Sequence, residues 1–304
     1  MFWRRKRIGL ALGGGGARGL AHIGVLRVLE KEEIPIHLIT GTSIGALVGG
    51  AYASGFNADQ LQKKAEEYVN SAEFRSSAMK AFEAAHAKGE VGLAQRIQTY
   101  LRNHFYLIQA MFKPGILSNE DFRATIEYFI PDIQVEETRI PFRAAATDLV
   151  SGEQITFSKG SLRQAVMASC AVPGAIAPLK EGERLLSDGG IICSVPGSVA
   201  RQGGADIVIA VVVDRGIGSE ELRNVVDVYL RVNEIMGERL KQCELAEADV
   251  VIRPEVGDLH WSSFSEAMNL IDEGEKAARE KLDDIRRLMP GIKNWLRFKK
   301  GPKS

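Results

Sequence analysis

Cysteine is scarce: Cys170, Cys193 and Cys243 are odd in number and far apart. That excludes a disulfide framework, and no C-x-x-C spacing offers a zinc site. A reducing, cytoplasmic compartment fits. The five histidines are scattered with no H-E-x-x-H pair, and no acidic loop of the calcium-binding kind is present. Neither a metal nor a cofactor is therefore expected. Net charge is also missing, with 39 basic against 39 acidic side chains, which argues against a nucleic-acid partner. Long apolar runs are absent too. The longest, Ile207 to Val213, has strand length, far short of the roughly 18 residues of a spanning helix. At the start, Met1 to Arg7 is basic and Ile8 to Leu12 apolar, but four glycines and Arg18 then cut the run short of a secretory core of about 7–15 residues. It reads as a basic arm before a buried strand.

What is present is a soluble globular composition: 304 residues, 45% hydrophobic, 26% charged. The 31 glycines exceed the usual share of roughly 7% and are clustered. Ile8 to Leu12 is predicted as a strand, Gly13 to Gly16 as a turn, and Ala17 to Lys31 as a helix with apolar Leu20, Ile23, Val25, Leu26, Val28 and Leu29. A second strand, Ile36 to Thr40, ends at Gly41-Thr42-Ser43, and a helix of small residues, Ile44 to Ala53, follows at once. So lean a helix must lie close to its neighbours, because glycine otherwise costs about 1 kcal/mol per site relative to alanine. Two strand-turn-helix units in succession imply an α/β fold with a mostly parallel sheet flanked by helices.

Residues 57–130 switch to helical spacing, from Leu61, Ala65 and Tyr68 through Phe105, Ile108 and Phe112 to Phe122, Ile126 and Phe129. They are expected to form a helical insertion serving as a lid. Strands are predicted again at Phe142 to Thr147, Gln154 to Phe157, Leu185 to Ser187, Ile207 to Val213 and Asp249 to Arg253. Leu222, Val225, Tyr229, Val232, Met236 and Leu240 mark one later helix, and Phe264 to Met289 the closing one. The expected organisation is a catalytic domain over 8–215, including the insertion, and a helical and strand extension over 216–304 packed on it, with a basic tail.

Gly41-Thr42-Ser43-Ile44-Gly45 is a G-x-S-x-G elbow, a serine at a sharp strand-to-helix turn. The helix start beneath it favours negative charge at Oγ. Gly13-Gly14-Gly15-Gly16-Ala17-Arg18-Gly19 is a glycine loop opening a helix, a source of converging N–H donors for a phosphate or an oxyanion. A dinucleotide fingerprint needs an acid at the end of the second strand, where Thr40-Gly41-Thr42 stands, and a P-loop needs a Gly-Lys-Ser/Thr that does not follow. Donors beside a serine make an oxyanion hole. For the base, His22, His37, His86 and His104 stand at unpromising places, and only His260, before Trp261 in a polar stretch, would fit a Ser…Asp…His order. Asp188, after an apolar strand and before Gly189-Gly190, projects from a tight turn.

The glycine loop, the G-x-S-x-G and the later Asp188-Gly189-Gly190, in this order, resemble the patatin-like phospholipase family. His22 with Gly24-Val25-Leu26, Ala168 to Gly174 with Pro178, and Gly204-Ala205-Asp206 before the apolar strand extend the resemblance. The match covers roughly Ile8 to Gly55 and Phe142 to Asp214. One departure is that many members carry asparagine after D-G-G, where Cys193-Ser194-Val195 stands here. The resemblance implies a three-layer α/β fold and a lipid acyl hydrolase of phospholipase A or lysophospholipase type. It implies that Ser43 attacks an acyl ester, Asp188 is the general base, and Gly14, Gly15 and Gly16 form the oxyanion hole. The same roles follow from the residues themselves. An aspartate of ordinary pKa, about 3.9, is a poor base for a hydroxyl, so lid closure is expected to desolvate Asp188. Arg18 would bind a lipid phosphate or brace the loop. Phe105, Ile108 and Phe112 would line the acyl chain. Phe2 to Arg7 and Trp295 to Lys300, basic with interleaved aromatics, suit peripheral contact with an anionic inner membrane face. A nucleotide-binding regulator or scaffold using the loop without hydrolysis is the competing reading.

Overall fold

The computed structural model describes residues 6–76, 80, 118–214, 216–218, 221–257, 259 and 262–289. Strand β1 (Ile8–Leu12) runs into the glycine loop and a 3-10 turn (Gly16–Leu20), then helix α1 (Ala21–Lys31), strand β2 (Leu38–Thr42) and helix α2 (Ile44–Ser54). Helices α3 (Ala58–Val69), α4 (Ala72–Ser76) and α5 (Asn119–Phe129) follow. Next come β3 (Phe142–Asp148), β4 (Gln154–Phe157), α6 (Leu162–Ser169), β5 (Leu179–Glu181), β6 (Arg184–Asp188) and α7 (Gly197–Gln202). The described chain closes with β7 (Ile207–Val211), α8 (Val225–Leu245), β8 (Val250–Ile252) and α9 (Ala267–Leu288).

The strands form one mixed sheet in the order β5-β6-β3-β2-β1-β7-β8, with β4 also paired to β3. The centre is parallel, as expected: β1 pairs with β2 and β7, β2 with β3, and β7 with β8. The far edge is not, because β3 pairs antiparallel with β4 and β6, and β5 with β6. Chain length explains the change. Only Gly182 and Glu183 separate β5 from β6, and a parallel link needs a dozen residues or more. β1, β2 and β7 are buried along their whole length, as strands covered by helices on both faces must be.

Two predicted boundaries shift. The first helix opens as a 3-10 turn, a tighter winding, where the loop leaves Gly16 at φ 59°. The second strand runs on through Gly41 and Thr42. Gly41 does not break it; a methyl there would stand 2.5 Å from the Ala46 Cα, so the glycine marks close approach of α2.

The residues beyond 214 build the same body. β8 extends the sheet, and α9 packs on α1 so closely that a methyl at Gly24 would overlap Ile271, and one at Gly274 would overlap Ala21. Arg27 on α1 pairs with Glu275 on α9 at 2.7 Å and Asp59 on α3 at 2.9 Å. The apolar stripe of α8 faces out, with Val225 84%, Tyr229 67% and Met236 64% exposed. Of the expected insertion, α3, α4 and α5 are described. Phe105, Ile108 and Phe112 lie outside the described residues, as do Phe2 to Arg5, Trp295 to Lys300, His86, His104 and His260.

Candidate functional site

Ser43 stands between β2 and α2 with φ 55° and ψ −128°, a strained backbone that costs about 1–3 kcal/mol and persists only where the surroundings enforce it. They do so here. The Ser43 N–H donates to Ser169 Oγ of α6 at 2.9 Å, and its carbonyl accepts the Ala46 and Leu47 N–H groups that begin α2, at 2.8 and 3.1 Å. Gly45 carries no side chain because a methyl there would run into the Leu12 and Gly13 carbonyl oxygens. The elbow therefore abuts the glycine loop, and a methyl on Gly14 would lie 3.4 Å from the Ser43 Cβ.

The loop is anchored group by group. Gly13 N–H donates to Val211 O and Gly14 N–H to Ser194 O, each at 3.0 Å. Arg18 Nε donates to Gly15 O at 3.1 Å, so this arginine braces the loop. His22, fully buried, meets Gly13 O through Nε2 at 2.8 Å. A carbonyl accepts, so Nε2 carries the proton, and Nδ1 is buried without a partner among the described residues. Burial holds the ring neutral, its pKa lowered to about 4, although the Gly13 bond works the other way. His22 is a strut of the loop. His37 is likewise committed, its Nδ1 accepting the Ile8 N–H at 3.1 Å. Of the expected donors, the Gly14 amide is taken; those of Gly15 and Gly16 have no acceptor among the described residues, as the first N–H groups of a helical turn do not.

Asp188 arrives by a route the sequence did not reveal. It ends β6, which runs antiparallel to β3, and pairs with Ala146 while Thr42 pairs with Ala145. Two lateral steps across the sheet bring residue 188 beside residue 43. Asp188 Oδ1 accepts the Gly190 N–H at 2.7 Å. Among the described residues Oδ2 is buried with no well-formed hydrogen bond, and the Ser43 hydroxyl is the side chain that acts on this carboxylate. Burial raises the pKa to about 6, against the smaller opposing pull of Ser43 and of the Gly190 N–H. Asp188 is only 6% exposed. Asp188 is thus already desolvated in this structure; most of the segment expected to act as a lid lies outside the described residues. The Cys170 thiol, also buried, is pushed up by that burial and by the charge of Asp188.

From Ser43 and Gly16 a cavity of about 670 Å³ runs between α2 and helices α3 to α5. Leu47 and Val48 of α2, Tyr68, Phe74, Phe122 and Ile176 line it. Sequence reasoning missed these residues. The signal was available in α2, whose glycines pack on the sheet and whose larger Leu47 and Val48 share a face with Ala51. Among the described residues no group of three or more His, Cys, Asp or Glu side chains is placed to hold a metal, and no helix is long and apolar enough to cross a membrane.

A family model described as "Patatin-like phospholipase" matches residues 10–200. The chain belongs to the patatin-like phospholipase family, whose members are lipid hydrolases in kind. It is 36% identical over 205 residues to an "NTE family" protein of Mycobacterium tuberculosis, covering 67% of this chain and 48% of that one. It is 35% identical over 207 residues to mouse patatin-like phospholipase domain-containing protein 7, covering 67% of this chain and 13% of the mouse protein. With human patatin-like phospholipase domain-containing protein 6 it shares 33% over 217 residues, 70% of this chain and 14% of that protein. The chain thus spans about half the length of the mycobacterial relative and a small part of the mammalian ones. Among solved structures, VipD from Legionella pneumophila aligns over 92% of this chain and 67% of its own, with a TM-score of 0.48 and 14% identity. The patatin-like match contains the glycine loop, the elbow and Asp188. It ends within α7, before β7, α8, β8 and α9.

Proposed function

We propose that the protein is a lipid acyl hydrolase of the phospholipase A or lysophospholipase type, working through a Ser43–Asp188 dyad. The observation that carries this reading is a strained serine facing both a buried carboxylate and the mouth of a large apolar cavity. In the proposed reaction Ser43 Oγ attacks the ester carbonyl as Asp188 takes the hydroxyl proton. The oxyanion is received by the Gly15 and Gly16 amides, and one such donor is typically worth about 2.7–4 kcal/mol. Collapse expels the alcohol, which takes the proton from Asp188, and water then cleaves the acyl-serine by the same steps. A carboxylate lifted to about 6 is ionised at neutral pH and yet more basic than a free one. The acyl chain lies in the cavity beside Leu47, Val48 and Phe122.

The nucleotide-binding alternative lacks such support. Gly13 and Gly14 spend their amides on carbonyls, and the adjoining cavity is apolar. Contact of Phe2 to Arg7 and Trp295 to Lys300 with an anionic cytoplasmic leaflet belongs to the same proposal; co-sedimentation with anionic but not zwitterionic vesicles is the expected result.

Hydrolysis of p-nitrophenyl butyrate by wild type, Ser43→Ala and Asp188→Asn tests the dyad. Each substitution is expected to lower kcat by at least about 10³-fold. Activity surviving in either variant rules the dyad out.

A further inference from the structure

Cys193, Ser194 and Val195 stand where the family resemblance breaks down, and they touch both halves of the site. The peptide joining Cys193 to Ser194 accepts the Thr42 hydroxyl on its carbonyl at 2.7 Å. The peptide joining Ser194 to Val195 accepts the Gly14 N–H on its carbonyl at 3.0 Å. Thr42 immediately precedes Ser43, and Gly14 immediately precedes Gly15. Pro196 O adds a third tie, to the Thr40 hydroxyl at 2.9 Å.

The N–H ends of the same two peptides meet one side chain. Val195 N–H donates to Glu244 Oε2 at 3.0 Å, and the Ser194 N–H and the Cys193 thiol also act on the Glu244 carboxylate. Successive N–H groups converging on one anion form a nest. Glu244 belongs to the last turn of α8, outside residues 10–200. It is half-buried, with Lys241 one turn before it, and Lys241 is in turn held by Asp214 and Glu238.

We infer that Glu244 is a positioning residue: through the peptides 193–194 and 194–195 it holds the nucleophile elbow and the glycine loop in register. The inference rests on the proposed reading of Ser43 and names what the later part of the chain contributes to it. A carboxylate on the N–H side of a peptide polarises it and strengthens the bond its carbonyl accepts. Glu244 therefore tightens Ser194 O on Gly14, which aims the next two amides, and Cys193 O on Thr42, which aims the elbow. Burial raises the Glu244 carboxyl to about 7, so it is ionised in full only in alkaline solution, and the tests belong there.

The full chain is assayed at pH 8.5 with p-nitrophenyl butyrate as wild type, Glu244→Ala, Glu244→Gln and Asn224→Ala. Asn224 caps the other end of α8 through the Asp227 N–H and touches neither peptide, so its removal loosens the helix alone. Glu244→Ala is expected to lower kcat by about 10- to 100-fold, the scale of a small misplacement of reacting groups, with KM within threefold. Glu244→Gln, which keeps one acceptor oxygen, recovers part of the loss, and Asn224→Ala stays within twofold of wild type. Amide hydrogen exchange in the peptide spanning Gly13 to Leu20 is expected to quicken in Glu244→Ala and not in Asn224→Ala. Unchanged kcat in folded Glu244→Ala, or unchanged exchange in that peptide, overturns the inference. If Glu244→Ala does not fold, Glu244→Gln carries both measurements. If wild type hydrolyses no ester, the exchange still decides the role of Glu244, and only the hydrolase reading falls.

Discussion

Asp188 and His22 are both buried ionisable residues of the site, and burial drives their pKa values in opposite directions. Asp188 is raised to about 6, so between about pH 4 and 6 the native state holds a proton that the unfolded chain releases. Stability contributed at this residue falls as pH rises through that window, and the ionised form costs roughly 2–3 kcal/mol above it. His22 is lowered to about 4, so between about pH 4 and 6.5 the native state lacks a proton that the unfolded chain binds, and its contribution is lost as pH falls. Two outcomes follow. The kcat/KM for ester hydrolysis should rise through an apparent pKa near 6 and reach a plateau above it. Asp188→Asn should abolish hydrolysis yet raise the unfolding free energy from urea melts at pH 8 by about 2 kcal/mol, with no gain at pH 4. A less stable Asn variant at pH 8 would show that the buried charge is not the cost inferred here.

At the scale of elements, the elbow and the glycine loop were legible because their constraints are local. G-x-S-x-G and the glycine run each encode a backbone shape within a few residues, and those shapes recur at Ser43 and at Gly13 to Gly16. The position of Asp188 was not legible in the same way. It depends on β6 turning antiparallel and on its pairing with β3, long-range choices that no short motif records. The apolar cavity was not legible either: its lining joins Leu47 and Val48 of α2 to Phe74, Phe122 and Ile176, far apart in sequence, while Phe105, Ile108 and Phe112 lie outside the described residues. Gly45→Ala should destabilise by about 1–3 kcal/mol in urea melts, since the methyl meets backbone oxygens that cannot rotate aside. Val48→Phe narrows the cavity, and the ratio of p-nitrophenyl palmitate to butyrate hydrolysis should fall about tenfold or more. An unchanged ratio would place the acyl chain elsewhere.

Across the whole molecule, composition and periodicity gave a single α/β body with a parallel centre. They marked α8 by its apolar stripe at helical spacing, and Val225, Tyr229 and Met236 of that stripe stand exposed. Periodicity reports that one side of a helix is apolar, not that anything covers it. The residues beyond the matched segment supply β7, β8 and α9, and Glu32 on the first half pairs with Arg286 on the last helix. A chain cut after residue 215 would bare the β7 edge and the face of α1 that α9 covers. It should lack a cooperative thermal transition by circular dichroism, while the full chain shows one.

The central claim is that a hydroxyl at residue 43 becomes an acyl ester during turnover. Wild type quenched in acid while hydrolysing p-nitrophenyl butyrate, then digested and weighed by mass spectrometry, should carry one butyryl group on the peptide containing Ser43. Ser43→Ala should carry none. A butyryl group on another residue, or undiminished turnover in Ser43→Ala, would contradict it.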